Sequence, residues 1–330
     1  MIAVPFLQLL LWEHRSSPVQ ALGPRLDLAH ERVSSGGITR TIEIHDAVHG
    51  ERRSFVAPHP IGVLLVTGTA FVWITQMASL LAGVDVMPAK LGEIFVLLGL
   101  AVWISSRVGG RREVGRLFAG LRRWRLGRRY LLLIAAMPLI TVGVAAATGT
   151  LQSPADGWTA VVVTYLIFLV LGAVTGNLWE ETVWAGFVQG RLMAARGLLI
   201  GSLLTAVPFF LMHLPLAFEA NGWKGTSWRD ATIDWALILL AAPFLRYLIG
   251  TLLIDTGGST LAAGILHASF NAAGAMAVLV GGWQQIPALI VLTVAVAGYR
   301  ARKGLPSADG YAPNLVPTTE PSPVTDPATR

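Results

Sequence analysis

The chain contains no cysteine, which excludes a disulfide framework, a thiolate nucleophile and any cysteine-based metal site. Charge is scarce as well. Only 13% of the 330 residues are Asp, Glu, Lys or Arg, where a soluble domain carries about a quarter. Lysine is close to absent, with Lys90, Lys224 and Lys303 standing against a background of arginine. This arginine-heavy balance is that of a GC-rich bacterial coding sequence. The alternating apolar and polar stretches that a membrane barrel requires are also missing.

What fills the space is apolar. Hydrophobic residues make up 54% of the chain and the mean hydropathy is +0.61. Several runs approach the ~20 apolar residues that a helix needs to cross a bilayer. The expected fold is therefore all-α, a polytopic membrane bundle of about eight transmembrane helices. The predicted spans are 60–81, 89–106, 130–148, 157–179, 198–214, 232–254, 259–280 and 286–299, the last short enough to be tilted or interfacial.

The basic residues orient these spans. The segment RVGGRREVGRLFAGLRRWRLGRR (107–129) reads as an arginine-rich cytoplasmic loop. Arg52, Arg53, Arg191, Arg196 and the Arg300–Lys303 stop fall on the same side, whereas TGTLQSPADGW is free of positive charge. The expectation is an integral protein of the bacterial cytoplasmic membrane with both termini cytoplasmic. On that topology the net charge of +6 attracts anionic membrane lipid and holds orientation; it does not point to nucleic acid.

Four regions are expected: an irregular cytoplasmic N-terminal segment (1–57), a transmembrane hairpin with the basic loop (58–129), a bundle (130–299) and a disordered tail rich in Pro, Ser and Thr (300–330). The stretch VPFLQLLLW lacks the basic flank of a signal peptide and reads as an interfacial anchor. His45 and His49, with Asp46 between them, come near the zinc-protease pattern HExxH. However, TIEIHDAV alternates with period two, which disfavours the helix that would bring both imidazoles to one face.

The chemistry-bearing residues all lie in the bundle. Glu180 and Glu181 stand together in NLWEETVWAGFVQG, at the cytoplasmic end of the fourth predicted span. His213 closes the fifth span, four residues after Phe209, and His267 lies inside the seventh, four residues before Asn271. An ionisable group at such depth costs roughly 3 kcal/mol unless partnered, so it tends to face a bundle interior or a wet cavity. Glutamate and histidine are also the groups that acid–base or metal chemistry needs. On one helix face, His267 and Asn271 can serve an oxyanion or form a polar clamp between helices.

The ordered set Glu180-Glu181-x-x-x-x-Gly186, Phe209-x-x-x-His213 and His267-x-x-x-Asn271 resembles the CPBP (Abi) family of intramembrane proteases, which includes the type II CAAX prenyl proteases. The resemblance covers roughly residues 130–299. It implies that Glu180 is the general base activating a water, helped by His213, and that His267 and Asn271 stabilise the oxyanion while Glu181 supports the site. Glu180, His213 and His267 are equally a possible zinc (Zn2+) ligand set, with a metal-free glutamate peptidase slightly favoured. The implied substrate is a membrane-associated peptide or protein, cleaved near the cytoplasmic face. Gly172, Gly176, Gly264 and Gly274 are expected to leave a cavity open to lipid.

One position departs from the family pattern. The family arginine of EExxxRG falls on Ala185, so Glu181 lacks its partner one turn on. Arg246 and Arg191 are the replacements in reach, Arg246 the better if it faces inward, since a buried arginine needs a carboxylate. The departure keeps two other readings alive: a degenerate membrane adaptor or bacteriocin-immunity-type protein, and a proton-coupled transporter using the Glu and His residues as a relay.

Overall fold

The computed structural model describes residues 58–124 and 127–305. The expected N-terminal segment, with His45, Asp46 and His49, and the tail beyond residue 305 lie outside the described residues. Within them the fold is all-helical. No strand occurs among the described residues, only an isolated antiparallel bridge between Leu151 and Leu279.

In chain order the α-helices are α1 (Pro60–Ala82), α2 (Met87–Ala119), α3 (Arg128–Ala147), α4 (Gly157–Gly172), α5 (Leu178–Glu181), α6 (Gly190–Met212), α7 (Gly222–Gly225), α8 (Trp228–Asp255), α9 (Thr260–Gly274) and α10 (Gln285–Lys303). Two π-helical stretches, Ala173–Asn177 and Thr182–Gln189, flank α5 and join it to α4 and α6. Ser227 and Ser259 cap α8 and α9, each side chain accepting from a backbone N–H three residues on.

By length and composition, five helical stretches among the described residues suffice to cross a membrane: Pro60–Ala82, Met87–Arg122, Arg128–Ala147, Gly157–Met212 and Trp228–Asp255. Three differences separate them from the eight predicted spans. First, the predicted spans 157–179 and 198–214 belong to one run of 56 residues. It turns only at Gly197, whose φ of 76° suits glycine. Glu180 therefore lies inside a helical run and not at its end. Gly186, about two turns further on, stands beside Leu117 and Thr260 near the basic segment.

Second, the basic stretch 107–129 is not a loop throughout. α2 bends at Gly109–Gly110 and continues as helix to Ala119, where Glu113 accepts from Arg191 at 2.7 Å and from Arg116 at 3.2 Å. These arginines thus satisfy a buried carboxylate. Third, α9 stops at Gly274, with 15 residues, because it is enclosed by protein and need not match lipid thickness. α10 runs on through the basic stop, and Arg300 pairs with Asp255 of α8 at 2.6 Å.

Two large hydrophobic cores result, beside a smaller third one around Leu80, Phe218 and Ala231. One gathers α3, α8, α9 and α10 around Met137, Leu248, Leu252 and Leu266; the other gathers α1, α2 and α6 around Leu65, Ile104, Phe209 and Met212. The Thr182–Gln189 stretch lies between them and is buried at every residue, with Ala185 in the first core and Trp184 and Phe187 in the second. By contrast α4 buries only Tyr165 and presents Val, Leu, Ile and Phe outward, as a lipid-facing helix does. The run thus passes from an apolar exterior to the seam of the bundle, and α5 carries the glutamates at that passage.

Candidate active site

Each site residue is placed by a local feature of the sequence. The π turns on either side of α5 widen the helix and rotate its side chains relative to a regular α-helix; such insertions recur at functional sites. α9 approaches α5 closely because residue 264 is glycine. A Cβ there would stand 2.7 Å from Leu178 Cδ2 and 2.9 Å from Leu178 Cα. Gly264 thus closes the gap between the helices that carry His267 and the two glutamates, and Gly274 is similarly filled by Gln285. The expectation of a lipid-open cavity is corrected for Gly264 and Gly274, which serve close packing, whereas Gly172 and Gly176 have only ordinary contacts, the nearest at 3.6 and 3.7 Å.

The inner half of the site is an ion-pair network. Glu181 is fully buried, and Arg246 of α8 donates to both of its oxygens, Nη1 to Oε2 at 2.9 Å and Nη2 to Oε1 at 2.7 Å. His267 Nδ1 donates to Glu181 Oε1 at 2.7 Å. A carboxylate accepting three charge-assisted or polar hydrogen bonds is well satisfied despite its burial. Arg246 is the replacement for the missing family arginine. Arg191 is engaged elsewhere, donating to Glu113 and to the Phe187 carbonyl. The Arg246 guanidinium also lies 4.1 Å from the centre of the Phe209 ring, and Gln189 Nε2 donates to the Arg246 carbonyl.

The outer half opens on a cavity. Glu180 Oε1 is 3.7 Å from His213 Nε2, and Glu180 Oε2 is 3.8 Å from His267 Nδ1. His213 Nδ1 sits 2.6 Å from the Phe209 carbonyl. A carbonyl only accepts, so Nδ1 carries the hydrogen and Nε2 faces Glu180. The same logic fixes the hydrogen of His267 on Nδ1, toward Glu181, and leaves its Nε2 for other partners. Glu180 and His213 line a cavity of about 100 Å³ with Trp184 and with residues of α1 and α2.

All five predicted residues therefore gather in one place, with Asn271 joined through a residue the sequence reading passed over. Asn177 Nδ2 donates to Glu180 Oε2 at 3.3 Å, and Asn271 Nδ2 approaches Asn177 Oδ1 at 3.5 Å. Its signal was available: a lone amide in an apolar run, one turn before Glu180. Phe209 was also more than a spacing mark, since its ring touches His213, Trp184 and Arg246 at once.

The zinc expectation was tested against these positions. Among the described residues no group of three or more His, Asp or Glu side chains has the arrangement of a metal-binding set, so these positions as they stand do not fit a resident metal. The Nδ1 bonds do not weigh against one, because a ligating imidazole ordinarily donates its other N–H to such acceptors. The chemistry below is derived from the side chains alone.

Residues 161–273 match the family model of Rce1-like type II CAAX prenyl endopeptidases. No curated protein matches the chain. The matched stretch holds Glu180, Glu181, His213, Arg246, His267 and Asn271, and it leaves out the hairpin of α1 and α2. The matched stretch, about a third of the chain, spans the three motifs in order, and five helical stretches among the described residues are long and apolar enough for an integral membrane protein.

Proposed function

We propose that the chain is an intramembrane endopeptidase hydrolysing a membrane-associated peptide or protein inside the bundle. The observation that carries this reading is the position of Glu180. Its carboxylate lies at a cavity wall, 3.7 Å from a histidine nitrogen whose tautomer leaves a lone pair facing it. A water held between Glu180 Oε1 and His213 Nε2 is activated when Glu180 takes its proton, and the oxygen attacks the scissile carbonyl. Glu180 then returns the proton to the departing amine, so the C–N bond breaks and the base is regenerated.

The tetrahedral oxyanion falls to His267 and Asn271. Asn271 offers its amide, and His267, its Nδ1 tied to Glu181, adds an Nε2–H when it takes up a proton and becomes an imidazolium. Glu181 supplies the counter-charge for that imidazolium, while Arg246 keeps the buried group from carrying net negative charge. Fixed donors of this kind, away from bulk water, are usually the largest single contribution to acyl-transfer catalysis. Arg246 also supports the protease reading over the adaptor, because Glu181 keeps a cationic partner despite Ala185.

The test compares membrane and secreted peptide termini from cells making wild type or Glu180→Gln at equal, folded levels. Termini that vanish with Glu180→Gln identify the protease and its substrate together. Identical termini in the native host would sink the enzyme reading.

A further inference from the structure

The cavity beside Glu180 has a second wall that the family model does not cover. It is lined on that side by Gln76 of α1 and by Lys90 and Glu93 of α2. Glu93 is buried, with Thr75 Oγ1 donating to Oε1 at 2.6 Å and Gln76 Nε2 donating to Oε2 at 2.7 Å. A carboxylate only accepts, so the second bond sets the Gln76 amide: nitrogen toward Glu93, oxygen away. That oxygen, Gln76 Oε1, is buried and has no hydrogen-bond partner among the described residues, on a side chain only 3% exposed.

An unpaired buried acceptor costs about 1–3 kcal/mol and calls for a donor. Here it stands beside a carboxylate with spare lone pairs, so Gln76 and Glu93 together present acceptors. Lys90 does not fill the need: its Nζ is held by both oxygens of Glu219, at 2.8 and 2.9 Å. That ion pair cancels its own charge and leaves Glu93 as the excess on this wall. The cavity, at about 100 Å³, has room for about three waters or a small cationic head, and not for a run of peptide.

We infer that Glu93 and Gln76 form a specificity site for a cationic, hydrogen-bond-donating group of the substrate, an ammonium or guanidinium held next to the bond that is hydrolysed beside Glu180. Glu93 supplies the charge and Gln76 Oε1 the second acceptor. The inference rests on the protease reading for the word substrate, but the cation site itself is read from binding. The ammonium has two possible sources, a Lys or Arg side chain or the amino terminus of the peptide.

The experiment uses the full chain carrying Glu180→Gln in lipid nanodiscs, so that binding is measured without turnover. The probes are short peptides with a C-terminal dodecylamide anchor, bearing Lys, Arg or norleucine at each position in turn, with free or acetylated amino termini. The expected result is about tenfold tighter binding of one cationic form over its neutral counterpart, the size of one charge-assisted hydrogen bond. That preference disappears when Glu93→Gln is added. Gln76→Met, which removes the orphan acceptor and keeps the volume, lowers it in parallel should Glu93→Gln fold poorly. Loss on replacing Lys or Arg assigns a side chain; loss on acetylation assigns the amino terminus. Equal binding of cationic and neutral peptides overturns the inference, as does a preference that survives both folded variants. A cation preference accompanied by no hydrolysis in the chain with Glu180 intact would overturn the protease reading and leave the site standing.

Discussion

Arg246 and Glu181, 65 residues apart in sequence, meet through two hydrogen bonds with neither side chain exposed. The pair moves the positive charge of the family motif from the helix of the glutamates to the facing helix α8. Removing one partner of such a pair leaves the other buried and uncompensated, which costs about 3–5 kcal/mol. Arg246→Met should therefore lower the thermal midpoint in detergent and abolish turnover. Ala185 is fully buried, so Ala185→Arg alone should also destabilise. Combined with Arg246→Met it should regain part of what was lost, because an arginine at 185 reaches Glu181 from one turn away. Midpoints of the two single variants and the double variant check this, and a double variant worse than the sum of the singles would contradict it.

Close approach of α9 and α5 gives a second prediction. Gly264→Ala puts a Cβ within 3 Å of the Leu178 backbone, and relief requires the helices to part. The expected cost is about 1–3 kcal/mol, with activity falling further because His267 withdraws from Glu181. Gly143 of α3 has open space around it, so Gly143→Ala should leave the midpoint unlowered. Thermal unfolding of the two variants side by side is the measurement.

Asn177 tests the positioning of the base. Asn177→Ala removes a donor to Glu180 and the link to Asn271. Hydrogen bonds to charged groups are worth roughly 1.5–3 kcal/mol, so kcat should fall about 10- to 100-fold with KM little changed. A rise in KM at constant kcat would show instead that Asn177 only helps to hold substrate.

Chelation separates the side-chain mechanism from a metal-dependent one. With no metal-binding arrangement among the described residues, the rate of the reconstituted protein should be unaltered by a strong zinc chelator. Loss of activity restored by added zinc would mean that the histidines rearrange around a metal.

Much of this was legible beforehand, and the reasons differ by residue. Long apolar runs settle helices almost without reference to tertiary context, so α1, α3 and α8 start and stop within a few residues of expectation. The Glu180, His213 and His267 gathering was legible from the ordered motifs of the family resemblance, while the cost of burying an ionisable group demanded only that each have some partner. Arg246 followed from the same rule, read from the arginine side. What escaped was that Glu180 lies inside a helical run. Apolar composition falls near residue 179, but the chain continues as helix through the Thr182–Gln189 stretch, where burial among other helices substitutes for lipid. The helix after Gly109–Gly110 escaped because arginine density signals a loop while its periodicity fits a helix on whose inner face Glu113 and Leu117 are buried. Gln76 and Glu93 escaped for another reason: each is an isolated polar residue in a hairpin without motif, and only the fold brings them opposite Glu180.

The central claim is that Glu180 activates the attacking water. Its most direct test is the purified chain in nanodiscs, incubated with the membrane peptide fraction of its host in water enriched in oxygen-18, followed by mass spectrometry of new carboxyl termini. Wild type should give new termini carrying the heavy oxygen, His213→Gln far fewer, and Glu180→Gln none, with all three proteins folded. Labelled termini that persist in folded Glu180→Gln would contradict the claim.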